Sequence, residues 1–518
     1  MNLGHLVKKA VRKYGDRTAI VFQGKSLSYN QLNERVNRLA NGLTGLGVRK
    51  GDGVAVLGLN SSQYIEADFA TAKCGMIRVP LRSRLTAGEL LHIMNNSQAN
   101  TLIVEERYIN EIMNIKKDLT YIKHYITISG SHDGMISYED LLAGASPDEP
   151  NIDVSDDDVY ALIYTTGTTG KPKGAMQTHR NLLWVIRSIQ LDVTRPDEAD
   201  VLLSCLPLMH APIILVLPSF MNGARHIIHP GFDVKKVLEA IQNERVTTVF
   251  MVPTVVYMLL EYPELKNYDV SSLKTILYGG SPMVPERLIE AIKVFGNVFV
   301  QAYGLAEAFM PITLLSKEEH AWAVSKGKLK VLSSAGREST YQEVKIVDEK
   351  GNDAGLHQPG EIIIRGDNVM KGYWKNPEAT GEAIRNGWFY TGDIGMMDEA
   401  GFLYLVDRKH ELIITGGINV YPKEVEDVLY KHPAVFEAVV IGVPHEKWGE
   451  SIKAVVALKQ GRQASQEELI EFCKGKIADY KIPKSVDFVD ALPKGAAEKI
   501  LRKEVKEKYW KGFERKIH

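Results

Sequence analysis

The segment Tyr164-Thr165-Thr166-Gly167-Thr168-Thr169-Gly170-Lys171-Pro172-Lys173-Gly174 is the most informative part of the sequence. A strand-like run, residues 159–163, precedes it, which indicates a loop at the end of a strand. Its glycines let an anion approach the backbone closely. Its threonine hydroxyls and backbone N–H groups can donate to phosphate oxygens, and Lys171 adds a cation. This concentration of donors predicts a phosphate-binding loop rather than an ordinary surface turn.

The loop is not a Walker A loop. A Walker A loop has four residues between its glycines and a Ser or Thr after its lysine. In this chain Thr168 and Thr169 alone separate the glycines, and Pro172 follows Lys171. The sequence therefore predicts a phosphate loop of another class.

Composition narrows the class of protein. The 518 residues are 45% hydrophobic and 25% charged, which excludes disordered, collagen-like and disulfide-scaffold chains. The 63 basic and 64 acidic residues almost cancel, so no nucleic-acid partner is expected. Three scattered cysteines favour a reducing, cytoplasmic location. The longest apolar run, residues 211–221, contains two prolines and is shorter than the roughly 20 residues of a membrane span. No transmembrane segment and no secretory signal are expected.

Strands and helices alternate as far as about residue 334, which predicts an α/β protein with largely parallel sheets. Short β-like runs separated by glycine turns then predict a more antiparallel, β-rich region. The charged segment 407–411 is the expected domain boundary, so we predict domains at 1–407 and 408–518. The predicted helices are 62–74, 86–95, 254–262, 285–295, 422–431 and 466–477, with an N-terminal amphipathic helix. The predicted strands are 54–57, 77–80, 101–104, 247–252, 275–278, 342–347, 360–365, 387–390, 401–406, 434–443 and 451–458.

Further motifs follow the phosphate loop in a fixed order. They are Leu206-Pro207-Leu208-Met209-His210, Tyr303-Gly304-Leu305-Ala306-Glu307, Tyr390-Thr391-Gly392-Asp393, Asp407-Arg408, Gly416-Gly417-Ile418-Asn419-Val420-Tyr421-Pro422-Lys423-Glu424-Val425-Glu426, Pro493-Lys494 and Lys499-Ile500. Together with residues 165–174, which fit the signature [ST]-[ST]-G-[ST]-T-G-x-P-K-G at every position, they resemble the adenylate-forming enzymes. That family includes acyl-CoA synthetases, luciferases and peptide-synthetase adenylation domains, and the resemblance spans nearly the whole chain.

The resemblance implies a fold and a two-step reaction. The fold is α/β, with a large N-terminal domain of two α/β layers plus a β-rich subdomain, and a small mobile α+β C-terminal domain. In the first step a carboxylic acid attacks the α-phosphorus of ATP, which gives an acyl-adenylate and pyrophosphate. In the second step a thiol, usually that of coenzyme A, displaces AMP. ATP, Mg²⁺ and coenzyme A are therefore the expected small molecules, and a homodimer is left open.

The resemblance also implies roles for individual residues. Lys499 would bridge the substrate carboxylate and the α-phosphate, Glu307 would ligate Mg²⁺, and His210 would lie beside the thiol. The residues implied in ATP and AMP binding are Thr165, Thr166, Gly167, Thr168, Thr169, Gly170, Lys171, Gly279, Gly280, Ser281, Gln301, Ala302, Tyr303, Gly304, Leu305, Asp393 and Arg408. Those implied in the acyl pocket are His210, Ala211, Ile213, Tyr278, Gly304 and Phe309. Gly416 and Gly417 would contact coenzyme A, and Lys409 and His410 would form the hinge.

Three residues depart from the family's pattern: Ala306 stands where many relatives have Thr or Ser, His410 where Asp or Lys is usual, and Glu498 where Gly is usual. The pocket residues are mainly apolar, which favours a hydrophobic fatty or aryl acid over a dicarboxylic acid. Two other functions stay open at this point. One is a fatty acyl-AMP ligase that transfers the acyl group to a carrier protein, and the other is a catalytically weakened protein that only binds adenylates.

Overall fold

The computed structural model describes residues 2–83, 85–130, 132–165, 172–209, 211–281, 283–408, 411, 413–415, 418–445, 448–495 and 500–510. The side chains of Asp407, Arg408, Ile414, Ile418 and Asn419 are outside this description.

The helices are numbered from the N-terminus. They are α1 (Leu3–Tyr14), α2 (Tyr29–Gly45), α3 (Ser62–Cys74), α4 (Ala87–Ser97), α5 (Ile109–Ile115), α6 (Tyr138–Ala143), α7 (His179–Ser188), α8 (Val216–Met221), α9 (Val234–Asn243), α10 (Pro253–Leu260), α11 (Pro285–Phe295), α12 (Lys317–Ser325), α13 (Pro377–Ala383), α14 (Pro422–Leu429), α15 (Gln466–Cys473) and α16 (Arg502–Trp510). A 3₁₀ turn, Ala211–Leu215, leads into α8.

The strands follow the same order. They are β1 (Thr18–Phe22), β2 (Lys25–Ser28), β3 (Gly53–Leu57), β4 (Ile77–Leu81), β5 (Ala99–Val104), β6 (His124–Thr127), β7 (Ile136–Ser137), β8 (Val159–Thr165), β9 (Lys173–Thr178), β10 (Val201–Ser204), β11 (Arg225–Ile228), β12 (Thr248–Met251), β13 (Thr275–Gly279), β14 (Phe299–Tyr303), β15 (Thr313–Leu315), β16 (Arg337–Glu338), β17 (Glu343–Val347), β18 (Gly360–Arg365), β19 (Ile384–Arg385), β20 (Trp388–Met397), β21 (Leu403–Arg408), β22 (Ile413–Thr415), β23 (Ile418–Val420), β24 (Val435–His445), β25 (Gly449–Leu458) and β26 (Ser485–Phe488).

Two large sheets form the N-terminal part. The first has the order β16-β15-β14-β13-β12-β10-β11-β1-β2, and it is parallel from β14 to β1 and antiparallel at both edges. The second has the order β7-β6-β5-β3-β4-β8-β9, in which β9 is the antiparallel member. The predicted α/β class with largely parallel sheets is confirmed. In such sheets ligands bind outside the carboxyl ends of the strands, and β8 ends at Thr165, where the phosphate loop begins.

One hydrophobic core joins the two sheets. It contains Leu203 and Phe299 from the first sheet, Val54 and Ile103 from the second, and side chains of the helices between them. α1 belongs to this core because its apolar residues recur at helical spacing on one face, as predicted from the sequence. That face, Leu3, Leu6, Val7, Ala10 and Val11, is buried.

The β-rich region predicted after residue 334 is confirmed as an antiparallel sheet of β17, β18, β20, β19 and β21. The described C-terminal strands form a separate sheet, β23-β22-β25-β24 with β26 beside β25, and this sheet has its own core with α14 and α15. The expected boundary falls where β21 ends, at Arg408. A division into domains 1–407 and 408–518 that move against each other stays a prediction.

Two predicted elements have different lengths in the structure. The helix predicted at 466–477 ends at Cys473, because Lys474 is extended and Gly475 has a φ of 69° that no helix continues. The strand predicted at 387–390 runs on to Met397, because Gly392 and Gly395 lie within an irregular but paired stretch rather than a turn. In the described part of the chain no helix is long and apolar enough to cross a bilayer.

Candidate active site

The carboxylate of Glu307 is oriented by two hydroxyl groups. Thr165, the last residue of β8, donates to Oε1 at 3.2 Å, and Tyr373 donates to the same oxygen at 3.0 Å. The second oxygen, Oε2, accepts no hydrogen bond from any described residue. The structure thus places the predicted metal ligand directly beside the start of the phosphate loop.

A single carboxylate suits Mg²⁺ at this position. Mg²⁺ usually keeps several waters and binds one or two carboxylates together with phosphate oxygens of the substrate. Across the described ranges, no group of three or more His, Cys, Asp or Glu side chains could enclose a metal ion by itself. Glu307, with one oxygen fixed and the other available, fits a cation that arrives with a polyphosphate.

Tyr373 was not anticipated from the sequence. It lies in residues 371–374, which pair with β9: the Met176 N–H donates to the Gly372 oxygen at 2.9 Å, and the Trp374 N–H donates to the Gly174 oxygen at 2.8 Å. The Lys173 ammonium lies 4.8 Å from the centre of the Tyr373 ring. No local sequence pattern signals this contact, since it depends on pairing between segments about 200 residues apart.

A second pair joins two predicted nucleotide-binding residues. The hydroxyl of Tyr303, at the end of β14, donates to Oδ2 of Asp393 at 2.6 Å, and both residues are buried. The backbone of Arg408 lies opposite Asp393 in the β20–β21 pairing. The backbone N–H of Asp393 donates to the Thr391 hydroxyl at 3.1 Å. The structure therefore brings three residues predicted to bind the nucleotide, Tyr303, Asp393 and Arg408, next to one another.

Two of the predicted glycines leave no room for a side chain. A Cβ on Gly304 would lie 2.5 Å from the backbone nitrogen of Met310, and one on Gly279 would lie 2.4 Å from the carbonyl oxygen of Ala302. Gly280 and the partly exposed Ser281 continue the turn after β13. Both glycines are therefore required by the close packing of these turns against Ala302 and Met310.

The turn that carries Glu307 is fixed from β9. The side-chain amide of Gln177 donates to the Ala306 carbonyl at 2.6 Å, and the Leu305 N–H donates to the Ala308 carbonyl at 2.8 Å. Gln177 was also not anticipated, because only the fold brings β9 next to this turn. The Oε1 atoms of Gln177 and of the predicted Gln301 are buried and have no hydrogen-bond partner among the described residues.

The side chain of Asn60, which comes from the second sheet, holds the segment that leads from β10 of the first sheet to His210. Asn60, which follows β3, accepts from the Leu208 N–H at 2.8 Å. Its amide group donates to the Leu206 carbonyl at 2.9 Å and to the His229 carbonyl at 3.1 Å. These bonds fix the backbone immediately before the predicted thiol-side residue.

The described residues of the predicted acyl pocket are mainly apolar. Ile213 is buried in the 3₁₀ turn, and Ala211 and Phe309 are partly buried against the core. Tyr278 is buried, and its hydroxyl lies 3.0 Å from Nε2 of His320. Nδ1 of His320 donates to the Ser316 carbonyl at 2.7 Å, so Nε2 accepts from Tyr278, and burial lowers the pKa of His320 to about 4. The hydroxyl of Tyr278 is thus engaged with His320, and the place of Tyr278 in the pocket stays a prediction.

Several predicted residues lie outside the described part of the chain. They are Thr166, Gly167, Thr168, Thr169, Gly170, Lys171, His210, Lys409, His410, Gly416, Gly417 and Lys499, together with the side chain of Arg408. Their roles in phosphate, acyl and coenzyme A binding, at the hinge and in catalysis stay predictions.

Comparison with known proteins agrees with this geometry. The profile of the AMP-binding enzyme family matches residues 7–374, and that of the AMP-binding enzyme C-terminal domain matches residues 424–499. A feruloyl-CoA synthase of Amycolatopsis sp is 38% identical over 511 residues, which are 98% of this chain and 99% of that protein. The medium/long-chain-fatty-acid–CoA ligase FadD8 of Mycobacterium tuberculosis is 33% identical over 528 residues, 99% of this chain and 91% of that protein.

A solved structure shows the same fold. The o-succinylbenzoate CoA synthetase of Bacillus subtilis, in complex with the acyl-adenylate intermediate OSB-AMP, superposes with a TM-score of 0.84 at 32% identity, covering 97% of both chains. The family profile over residues 7–374 includes the phosphate loop, Tyr303 and Glu307. Asp393 follows that profile, in a chain that aligns with the feruloyl-CoA synthase over 98% of its length. Both parts of the family are matched in order along one chain, so this protein belongs to the AMP-binding enzyme family.

Proposed function

We propose that this protein is an AMP-forming acid–CoA ligase that converts a hydrophobic carboxylic acid, ATP and coenzyme A into an acyl-CoA, AMP and pyrophosphate. The observation that carries the proposal is the position of Glu307. Its carboxylate contacts Thr165 at the start of the phosphate loop, and its turn directly follows Tyr303, which is bonded to Asp393. Thr165 ends β8 of one large sheet and Tyr303 ends β14 of the other, so the residues that we assign to the phosphates, the metal and the adenosine lie near the carboxyl ends of strands from both sheets.

In the first step an oxygen of the acid attacks the α-phosphorus of ATP. The bond from that phosphorus to the bridging oxygen breaks, and pyrophosphate leaves. An anion attacks a polyanion, so the site must supply positive charge and oriented donors. Residues 165–171 would donate to the leaving phosphates, the Glu307 carboxylate would hold the cation, and Lys499 would neutralise the attacking carboxylate. When bound, Mg²⁺ withdraws charge from the phosphate oxygens.

The Tyr303–Asp393 pair holds the nucleoside in this reaction. Asp393 accepts hydrogen bonds from the ribose hydroxyls, while the Tyr303 hydroxyl keeps its carboxylate in place at 2.6 Å. The ring of Tyr303 offers a flat apolar surface to the adenine. Gly279 and Gly304 fix the turns beside this pair, because a Cβ at either position would clash with the backbone of Ala302 or Met310.

In the second step the sulfur of coenzyme A attacks the acyl carbon. The bond from that carbon to the AMP oxygen breaks, AMP leaves, and the thiol proton passes to solvent. We assign contacts with the thiol arm to Gly416 and Gly417 and a position beside the sulfur to His210. Residues 408–518 turn about Lys409 and His410 between the steps, which removes Lys499 from the first reaction.

The acid is hydrophobic in this proposal, because Ile213, Ala211 and Phe309, which we assign to the acyl pocket, are all apolar. The relatives of this chain include an aryl-acid and a fatty-acid ligase, so both classes belong in a substrate panel. The cysteines are free and buried, which fits the reducing cytoplasm that we propose as its location.

The test is release of pyrophosphate and AMP from ATP over fatty and aryl acids, with and without coenzyme A, and with Lys499→Ala as the matched variant. We expect sustained release of pyrophosphate and AMP only when coenzyme A is present, together with an acyl-CoA product. Lys499→Ala should abolish both the turnover and the product. Pyrophosphate release that stops at one equivalent per enzyme with coenzyme A present would instead indicate a ligase that serves a carrier protein. Nucleotide binding without any release would indicate an adenylate-binding protein.

A further inference from the structure

Arg82 differs in its electrostatic surroundings from the other partly or fully buried arginines whose side chains the structure describes. Six other arginines with described side chains are partly or fully buried, and each has a carboxylate within ion-pair distance. They are Arg35, Arg38, Arg78, Arg225, Arg287 and Arg502. Arg82 is also partly buried, yet among the described residues no carboxylate oxygen lies within 4.0 Å of its guanidinium. Burial lowers the pKa of Arg82, with Glu89 acting in the opposite sense.

Arg82 lies at the edge of the sheet where the phosphate loop begins. Arg78 of β4 pairs with Ala161 of β8, and the strands are parallel. β4 ends at Leu81 and β8 ends at Thr165, so Arg82, the first residue after β4, lies at the edge of the sheet where β8 ends. One of its nitrogens, Nη2, donates to the Tyr164 carbonyl at 3.2 Å, which leaves its other N–H groups available to a ligand.

The same part of the chain fixes both ends of the loop. From α4, Asn96 accepts a hydrogen bond from the Tyr164 hydroxyl at 2.7 Å, and Nε2 of His92 donates to the Pro172 carbonyl at 3.0 Å. Residues 164 and 172 flank the loop residues 165–171. A guanidinium bonded to the Tyr164 carbonyl is therefore held at a constant position relative to one end of the loop.

Buried arginines are normally paired, because removing a charge from water is costly unless an opposite charge replaces the solvent. We propose that the counterion of Arg82 is the β- and γ-phosphate part of ATP, and that Arg82 continues to hold pyrophosphate after the α-phosphorus has reacted. This inference rests on the proposed function, since it assigns a further phosphate-binding residue to the same site. A planar fork of N–H donors suits phosphate oxygens better than a point charge does.

The experiment compares Arg82→Met, which keeps length but removes charge and donors, with Arg82→Lys, which keeps the charge. Arg107→Met is the matched control: Arg107 follows β5 at the same sheet edge, and its side chain is 57% exposed beside Glu105. Calorimetry on the full chain gives the dissociation constants of ATP, pyrophosphate and AMP in the presence of Mg²⁺. Thermal unfolding without nucleotide gives the midpoint Tm of each variant.

We expect Arg82→Met to weaken ATP and pyrophosphate binding by about 10- to 100-fold, the usual range for hydrogen bonds to charged groups. AMP, which lacks these phosphates, should bind within twofold of the wild type. Arg82→Lys should recover part of the loss, and Arg107→Met should show none. The Tm of nucleotide-free Arg82→Met should equal or exceed that of the wild type, because an unpaired buried charge is removed.

Two results would overturn the inference. Equal weakening of ATP and AMP together with a lower Tm would show that Arg82 only supports the Tyr164 carbonyl. Unchanged affinity for ATP would show that it does not contact the phosphates. The proposed function is tested by a different result. A wild type that binds ATP but forms no acyl-CoA contradicts the proposed function. The role of Arg82 is then still decided by comparing the ATP affinities of the variants. A wild type that binds no ATP contradicts both.

Discussion

The two oxygens of Glu307 have different surroundings: Oε1 accepts two hydrogen bonds, and Oε2 accepts none from the described residues. Replacing Glu307 by Gln keeps the shape but removes the charge that holds the cation. We expect pyrophosphate release to fall by at least about 100-fold and to need more Mg²⁺. Tyr373→Phe removes one of two hydroxyl donors to Oε1, so the loss should be about fivefold to tenfold. The measurement is the initial rate of pyrophosphate release against Mg²⁺ concentration.

The control for this pair is Glu318→Gln, since Glu318 is an exposed residue of α12 that makes no hydrogen bond with Glu307, Thr165 or Tyr373. It should leave the rate and the Mg²⁺ dependence unchanged. A Glu307→Gln enzyme with the wild-type Mg²⁺ dependence would refute the assignment of Glu307 as the metal ligand.

Buried histidines link stability to pH. His226 is 5% exposed, its Nε2 lies 2.8 Å from the Ser204 hydroxyl, and burial lowers its pKa to about 3. The unfolded chain takes up this proton below its ordinary pKa of about 6.5, whereas the folded chain does not until about pH 3. Stability contributed by the neutral ring is therefore complete above about pH 6.5 and is lost progressively as the pH falls toward 3.

His226→Gln keeps a hydrogen-bonding group but removes this titration. Between pH 7 and pH 5 the free energy of unfolding should fall by about 2 kcal/mol less in the variant than in the wild type. Urea unfolding at the two pH values measures the difference. His5→Gln, at an exposed position, is the control and should follow the wild type. Equal pH dependence in all three proteins would contradict a neutral buried ring.

At the scale of elements, Asn60 joins the end of β3 to the segment before His210. Asn60→Ala removes three buried hydrogen bonds and leaves the Leu208 N–H and two carbonyls unpaired. The expected loss in the free energy of unfolding is about 2–4 kcal/mol, with weaker thioester formation because the segment moves. Urea unfolding and a coenzyme A-dependent rate assay measure the two effects. Asn114→Ala, at an exposed position in α5, should change neither. Wild-type stability of Asn60→Ala would mean that this bridge does not hold the segment.

Local sequence patterns predict some elements accurately. The helix predicted at 285–295 is α11, because a proline starts it and Gly296 ends it. The continuation of β20 beyond residue 390 is not predicted, because a glycine such as Gly392 usually indicates a turn. In the structure Gly392 lies within a paired strand. Motifs single out Glu307, Tyr303 and Asp393, and the structure bonds Glu307 to Thr165 and Tyr303 to Asp393. Local patterns report backbone preference, and they do not report which distant strand supplies a neighbour.

Residues that support the cluster from a distance could not be predicted for this reason. Tyr373 reaches Glu307 only because residues 371–374 pair with β9. Gln177 reaches the Ala306 carbonyl because β9 also lies beside that turn. Neither residue carries a motif, and each is identified by a contact across more than 60 residues of sequence.

At the scale of the whole molecule, two largely parallel sheets share one core and meet near the same strand ends. The sequence predicts this class from alternation of strands and helices, but it does not predict the strand order. The order matters for function, since it sets β8 of one sheet close to the turn after β14 of the other and so joins Thr165 to Glu307. The smaller C-terminal sheet, which has its own core, is the part expected to move.

The central claim is that the acid attacks the α-phosphorus of ATP at this junction. The most direct measurement uses an acid that the enzyme accepts as a substrate, labelled with oxygen-18 in both carboxylate oxygens. The nucleotide products are then analysed by mass spectrometry. An acyl-adenylate route transfers one labelled oxygen to AMP, and we predict AMP that carries a single label. Unlabelled AMP, or ADP together with labelled inorganic phosphate, would contradict the account.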